Sequence, residues 1–145
     1  MRVLGRVCGE CTMCCRTHAV PEIEKPARQW CVHCTPGGGC QIYPDRPGQC
    51  RDFFCAWLDG YGSEETRPDK SGVVLIGKGN DTHSVLAIFE AREGALDTNF
   101  VWDTTHCMLA KKVFVSHMML SGETLLWLPP HVRLSGDADA LWENL

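Results

Sequence analysis

The 145-residue chain has no apolar run long enough to cross a bilayer, so no membrane span is expected. It has no phosphate-binding glycine loop, no Gly-x-Ser-x-Gly elbow and no His-Glu-x-x-His pair, which removes the usual signatures of nucleotide, ester and zinc-protease hydrolysis. Internal repeats and low-complexity tracts are also missing. Residues 1–8 carry charge with no apolar stretch behind it, so a cytoplasmic location is expected. Excess positive charge is lacking too. The net charge is −4, with residues 1–55 at +2 and residues 56–145 at −6. No nucleic-acid partner is expected: the acidic part repels phosphate, and a few arginines beside a thiolate cluster serve to offset its charge.

Cysteine, by contrast, is concentrated at one end. Cys8, Cys11, Cys14, Cys15, Cys31, Cys34, Cys40, Cys50 and Cys55 lie in the first 55 residues, and only Cys107 lies outside. In a reducing compartment such thiols stay free and read as metal ligands rather than disulfides. A Cys-x-x-Cys turn brings two sulfurs to ligand spacing around one ion. The chain has this spacing at Cys8/Cys11, at Cys11/Cys14 and at Cys31/Cys34. If the first run is helical, Cys8, Cys11 and Cys15 share one stripe.

Nine sulfurs exceed one tetrahedral site. Two separate four-thiolate zinc sites would leave one sulfur over. Three zinc ions sharing bridging thiolates would use all nine, and one four-iron cluster would leave a zinc site and a spare. The adjacent pair Cys14-Cys15 favours a bridged arrangement over an ordinary zinc finger. The expected cofactor is therefore Zn2+, two or three ions, with an iron–sulfur cluster as the alternative. His18 and His33 lie among the cysteines and are read as polar neighbours of the sulfurs. Arg16, Arg46 and Arg51 are candidate hydrogen-bond donors to thiolate sulfur.

The chain divides near residue 60. The expected fold is a single α+β domain over residues 1–145. In it, a cysteine-rich, metal-bound half (residues 1–60) of short helices and loops packs on a C-terminal antiparallel sheet (residues 71–145). Helices are expected over about residues 11–16 and 47–58, the second with proline at its start and Gly60 near its end. Residues 59–65 read as a polar connector. The β-branched run at residues 73–76 and the apolar run at 84–91 flank a Gly-Lys-Gly-Asn-Asp turn, which predicts a hairpin. Residues 112–118 and 123–128 predict a second hairpin, residues 131–134 a short edge strand, and residues 137–142 a turn or two of helix. Residues 94–102 read equally as helix and as loop. With so little regular structure of its own, the cysteine half is expected to need metal to order it.

Two motifs carry a family resemblance. The run Cys8-Gly9-Glu10-Cys11-Thr12-Met13-Cys14-Cys15, followed by Cys40-Gln41-Ile42-Tyr43-Pro44-Asp45-Arg46-Pro47-Gly48-Gln49-Cys50-Arg51-Asp52-Phe53, resembles the CxxCxxCC zinc- or iron-chelating family, the YkgJ-like proteins. The resemblance covers about residues 8–58. It implies chelation by Cys8, Cys11, Cys14, Cys15, Cys40 and Cys50, and by inference Cys34 and Cys55, while Cys31 and His33 stand outside the usual pattern. Some relatives carry the motif beside methyl-transfer activity and hold an iron–sulfur cluster.

Cys107 and His106 are adjacent in sequence, so they rarely face each other, and Cys107 reads as a small thiol rather than a nucleophile. Trp102 and Trp127 read as core. A centre closed by thiolates has no open position for water. The expected role is therefore metal binding, structural or partner-binding rather than catalytic, with electron transfer or redox sensing on an iron–sulfur cluster and zinc storage or delivery as alternatives. Metal ions are the expected ligands, and a protein the possible partner.

Overall fold

Apolar side chains alternate on both strands of the first hairpin, so each strand presents one set to each face. The computed structural model describes residues 5–81 and 83–134. Strands β3 (Val73–Gly79) and β4 (Ser84–Glu90) pair antiparallel, with Val74 opposite Phe89 and Leu75 opposite Ile88. Strands β5 (Phe114–Met118) and β6 (Thr124–Trp127) form the second antiparallel pair, with Val115 opposite Trp127. Both hairpins are where the pattern puts them.

The two hairpins join differently from the expected antiparallel sheet. The four strands lie in sequence order, but β4 and β5 run parallel, with Leu86 opposite Val115. Parallel neighbours need a crossover. Here it is α4 (Asn99–Ala110), preceded by a short turn of 3-10 helix at Ala95–Asp97. The class is α+β and the sheet is mixed. Residues 94–102, ambiguous as sequence, thus enter a helix, which buries Val101, Thr104 and Thr105. Among the described residues, 131–134 form no strand. The expected helical segment at 137–142 lies outside the described residues.

The sheet has apolar matter on both faces. On one, Val73, Leu75, Leu86, Ile88 and Val115 bury against Val101 of α4 and against Ala95 and Leu96. On the other, Val74 and Ala91 bury with Cys55, Trp57 and Leu58, and Cys8, Met13, Phe53 and Phe89 pack around them. The cysteine-rich half therefore covers the face opposite α4. At the open edge of β3, Ala56 N–H donates to the Leu75 carbonyl at 2.7 Å, adding one rung outside the sheet. Gly72 (φ +79°) starts β3 after α3 (Pro68–Ser71); a Cβ there would come within 2.8 Å of the Ala95 methyl.

The cysteine-rich half has little regular structure: α1 (Met13–Thr17), a two-stranded ribbon of β1 (Cys34–Thr35) and β2 (Gly39–Cys40), and α2 (Gly48–Asp52). Helix α1 starts later than expected, so Cys8 and Cys11 precede it and share no helical stripe with Cys15. Helix α2 is one short turn, and Cys55 lies beyond its end. Arg6 fastens the start of this half by donating to the carbonyls of Trp57 (2.6 Å), Tyr61 (3.0 Å) and Gly62 (2.7 Å). Arg16 fastens α1 to the sheet through the Ala91 carbonyl at 2.9 Å.

Candidate metal centre

Both outer Cys-x-x-Cys spacings fold as turns closed between the two cysteines. Cys11 N–H donates to the Cys8 carbonyl at 2.9 Å, and Cys34 N–H donates to the Cys31 carbonyl at 3.1 Å. A turn of this kind can bring its two cysteines to ligand spacing around one ion. Cys31 N–H then donates to the Cys15 carbonyl at 3.1 Å, so the second turn is tied to the first run. In the ribbon, Cys34 and Cys40 are register partners. Cys50 sits on α2, whose first amides are held by Glu22: Gly48 N–H donates to Oε2 at 3.1 Å and Gln49 N–H to Oε1 at 2.9 Å.

These links bring Cys8, Cys11, Cys14, Cys15, Cys31, Cys40 and Cys50 onto the wall of one cavity of about 120 Å³. His18, His33 and Lys25 line it as well. Cys34 is not on that wall; its thiol shares a hydrogen bond with Cys15. Cys55 is buried against Trp57 and Val74 on the sheet. Cys107 is exposed on α4. The sulfurs ring a space rather than meet at a point: among the described residues no three His, Cys, Asp or Glu side chains are gathered closely enough to hold an ion as they stand. In donor chemistry the residues fit a thiophilic metal, since soft sulfur predominates and the volume exceeds one ion.

Cys11, Cys15, Cys34, Cys50 and Cys55 favour their protons. Burial pushes Cys11 up to about 11, although the backbone amides of Met13 and Asp69 favour its thiolate. Cys15 is pushed up by its hydrogen bond with Cys14 and by burial. Cys34 is raised to about 12 by burial and by Cys15, and burial raises Cys50 and Cys55. A bound metal would therefore have to displace these protons, so its binding would release them.

Lys25 is a feature of this site that the sequence did not signal. It sits in an irregular stretch and is 6% exposed. Its Nζ donates to the carbonyls of Arg16 (3.3 Å), Pro26 (3.0 Å) and His18. Among the described residues no carboxylate pairs with it. Burial lowers its pKa, while Cys31, Cys15, Cys14 and Cys50, when ionised, oppose that shift. Thr12, 1% exposed, accepts from Gly37 N–H at 3.0 Å and anchors the ribbon's glycine loop beside α1. Arg16 donates to the Ala91 carbonyl and lies over the Trp30 ring, and Arg46, on the cavity wall, lies over Tyr43 at 3.9 Å.

No family model matches the chain, and no curated protein or solved structure matches it either.

Proposed function

We propose that this protein binds metal on clustered thiolates, holding more than one zinc ion in a structural or partner-binding role. The observation that carries the reading is that seven cysteines from separate stretches of chain line one cavity. The resemblance of residues 8–58 to the CxxCxxCC family supports the same reading. Cys34 belongs with Cys40 as its partner across the ribbon, and Cys55 serves packing. The buried ammonium of Lys25 complements a centre of net negative charge, as all-thiolate zinc or iron–sulfur centres are. Val32, 85% exposed within the Cys31–Cys34 turn, and Tyr43, 51% exposed on the cavity wall, each offer apolar surface to a protein partner.

The cavity volume favours a second reading. Protein sulfurs already form its wall, and about 120 Å³ remains, which inorganic sulfide of an iron–sulfur cluster would fill. Metal analysis with stoichiometry, on protein purified without oxygen or added metal, decides. A colourless protein with two or three zinc ions supports the first reading. A brown protein with a visible thiolate-to-iron band supports the second. Storage or delivery of zinc predicts that a chelator strips the metal while the sheet stays folded, whereas a structural centre predicts collapse of the cysteine half.

A further inference from the structure

His18 stands at the junction of the cavity and the sheet. Its ring lies between Phe53 and Phe89, with centroid distances of 4.7 and 4.6 Å, so its orientation is fixed. One ring nitrogen, Nδ1, is 2.6 Å from Thr17 Oγ1. That hydroxyl has one proton, which it donates to the Met13 carbonyl at 3.3 Å, an atom that can only accept. The Nδ1–H tautomer makes both contacts at once, with Nδ1 donating to Thr17 and the hydroxyl donating to Met13, whereas an Nε2–H tautomer would bury an N–H donor with no acceptor among the described residues. The other nitrogen, Nε2, is left as a bare lone pair. It is buried and has no hydrogen-bond partner among the described residues. A buried orphan acceptor is uncommon and calls for an occupant. Nε2 belongs to a side chain on the wall of the thiol-lined cavity. A neutral imidazole whose second nitrogen donates to a neighbouring oxygen is the form in which histidine ligates metals.

We propose that His18 is a ligand of the metal centre through Nε2, with Thr17 as the residue that positions it. This rests on the thiolate–metal reading and changes its donor set from sulfur alone to sulfur plus one imidazole. Burial holds the ring neutral, with a pKa near 4, in keeping with that role.

The test uses the full chain, labelled at histidine nitrogen and loaded with isotopic cadmium alone. Scalar coupling between cadmium and His18 Nε2 is the expected result. Thr17→Val removes the acceptor of Nδ1–H and leaves every sulfur in place; it is expected to weaken cadmium binding about tenfold. Cadmium held with an all-sulfur signature and no coupling to His18 overturns the assignment and leaves the thiolate reading intact. No bound cadmium overturns both.

Discussion

Cys34 and Cys40 stand opposite each other in a ribbon only two residues long on each strand. So short a ribbon has almost no stability of its own. The Thr12–Gly37 and Gln41–Thr35 hydrogen bonds hold it, and a metal shared by its cysteines would add to them. Cys40→Ala is therefore expected to lower metal affinity by at least about tenfold, or about 1.4 kcal/mol. Cys107→Ala, on the far side of the sheet, is expected to change it within error. Competition with a chromophoric chelator measures both, and equal losses would count against the site.

Lys25 should act with opposite sign in the two states of the protein. Lys25→Met keeps the stem and removes a buried charge that no carboxylate of the described residues pairs. With metal bound, the thiolates lose their counter-charge, and a chelator should strip the metal about tenfold faster. Without metal, the substitution relieves burial of a cation, so thermal stability should hold or rise. If both states lost stability equally, Lys25 would be only a cap on the end of α1.

Thr12→Val removes a buried acceptor while keeping shape. The loss of the Gly37 hydrogen bond should cost about 1 kcal/mol in the metal-bound protein, measured by urea unfolding. It should also speed metal release, because the ribbon that carries Cys34 and Cys40 loses its anchor.

The hairpins were legible because short β-branched apolar runs and a Gly-Lys-Gly-Asn-Asp turn are local signals. The parallel joint was not. Thr98, Asn99 and Val101 are poor helix formers, so nothing local commits residues 94–102 to a helix. Burial of Val101 and Thr105 on the sheet makes the choice. At the centre, cysteine spacing showed which residues gather, because a Cys-x-x-Cys turn is set within four residues. It did not place Cys55, whose position depends on Trp57 and the sheet. Lys25 and His18 were equally illegible in their roles. Both gain meaning from burial in irregular chain, which no periodicity records.

His117 gives the fold an acid limit. It is 2% exposed, its Nε2 lies 2.8 Å from Thr105 Oγ1, and Trp102 and Trp127 flank its ring. Burial lowers its pKa from the ordinary 6.5. Folding therefore favours the neutral ring: this stability is present above 6.5 and is lost as pH falls below it. Urea midpoints measured from about pH 7 to 5 should fall in the wild type and fall less in His117→Gln, whose side chain does not titrate there.

The rung between Ala56 and Leu75 has a consequence for solubility. Strand β3 ends the sheet, and its outer backbone groups would otherwise be free to recruit a strand from another molecule. The segment after Cys55 occupies that position and is fastened by the same half of the chain that the cysteines organise. Stripping the metal should then uncover a pairing edge, and the protein should form β-rich aggregates whose rate rises steeply with concentration. Light scattering after chelation, with and without a lysine substitution at the exposed Gly77 of β3 as a control for edge pairing, would follow this process. The metal would in that case guard the protein against its own copies.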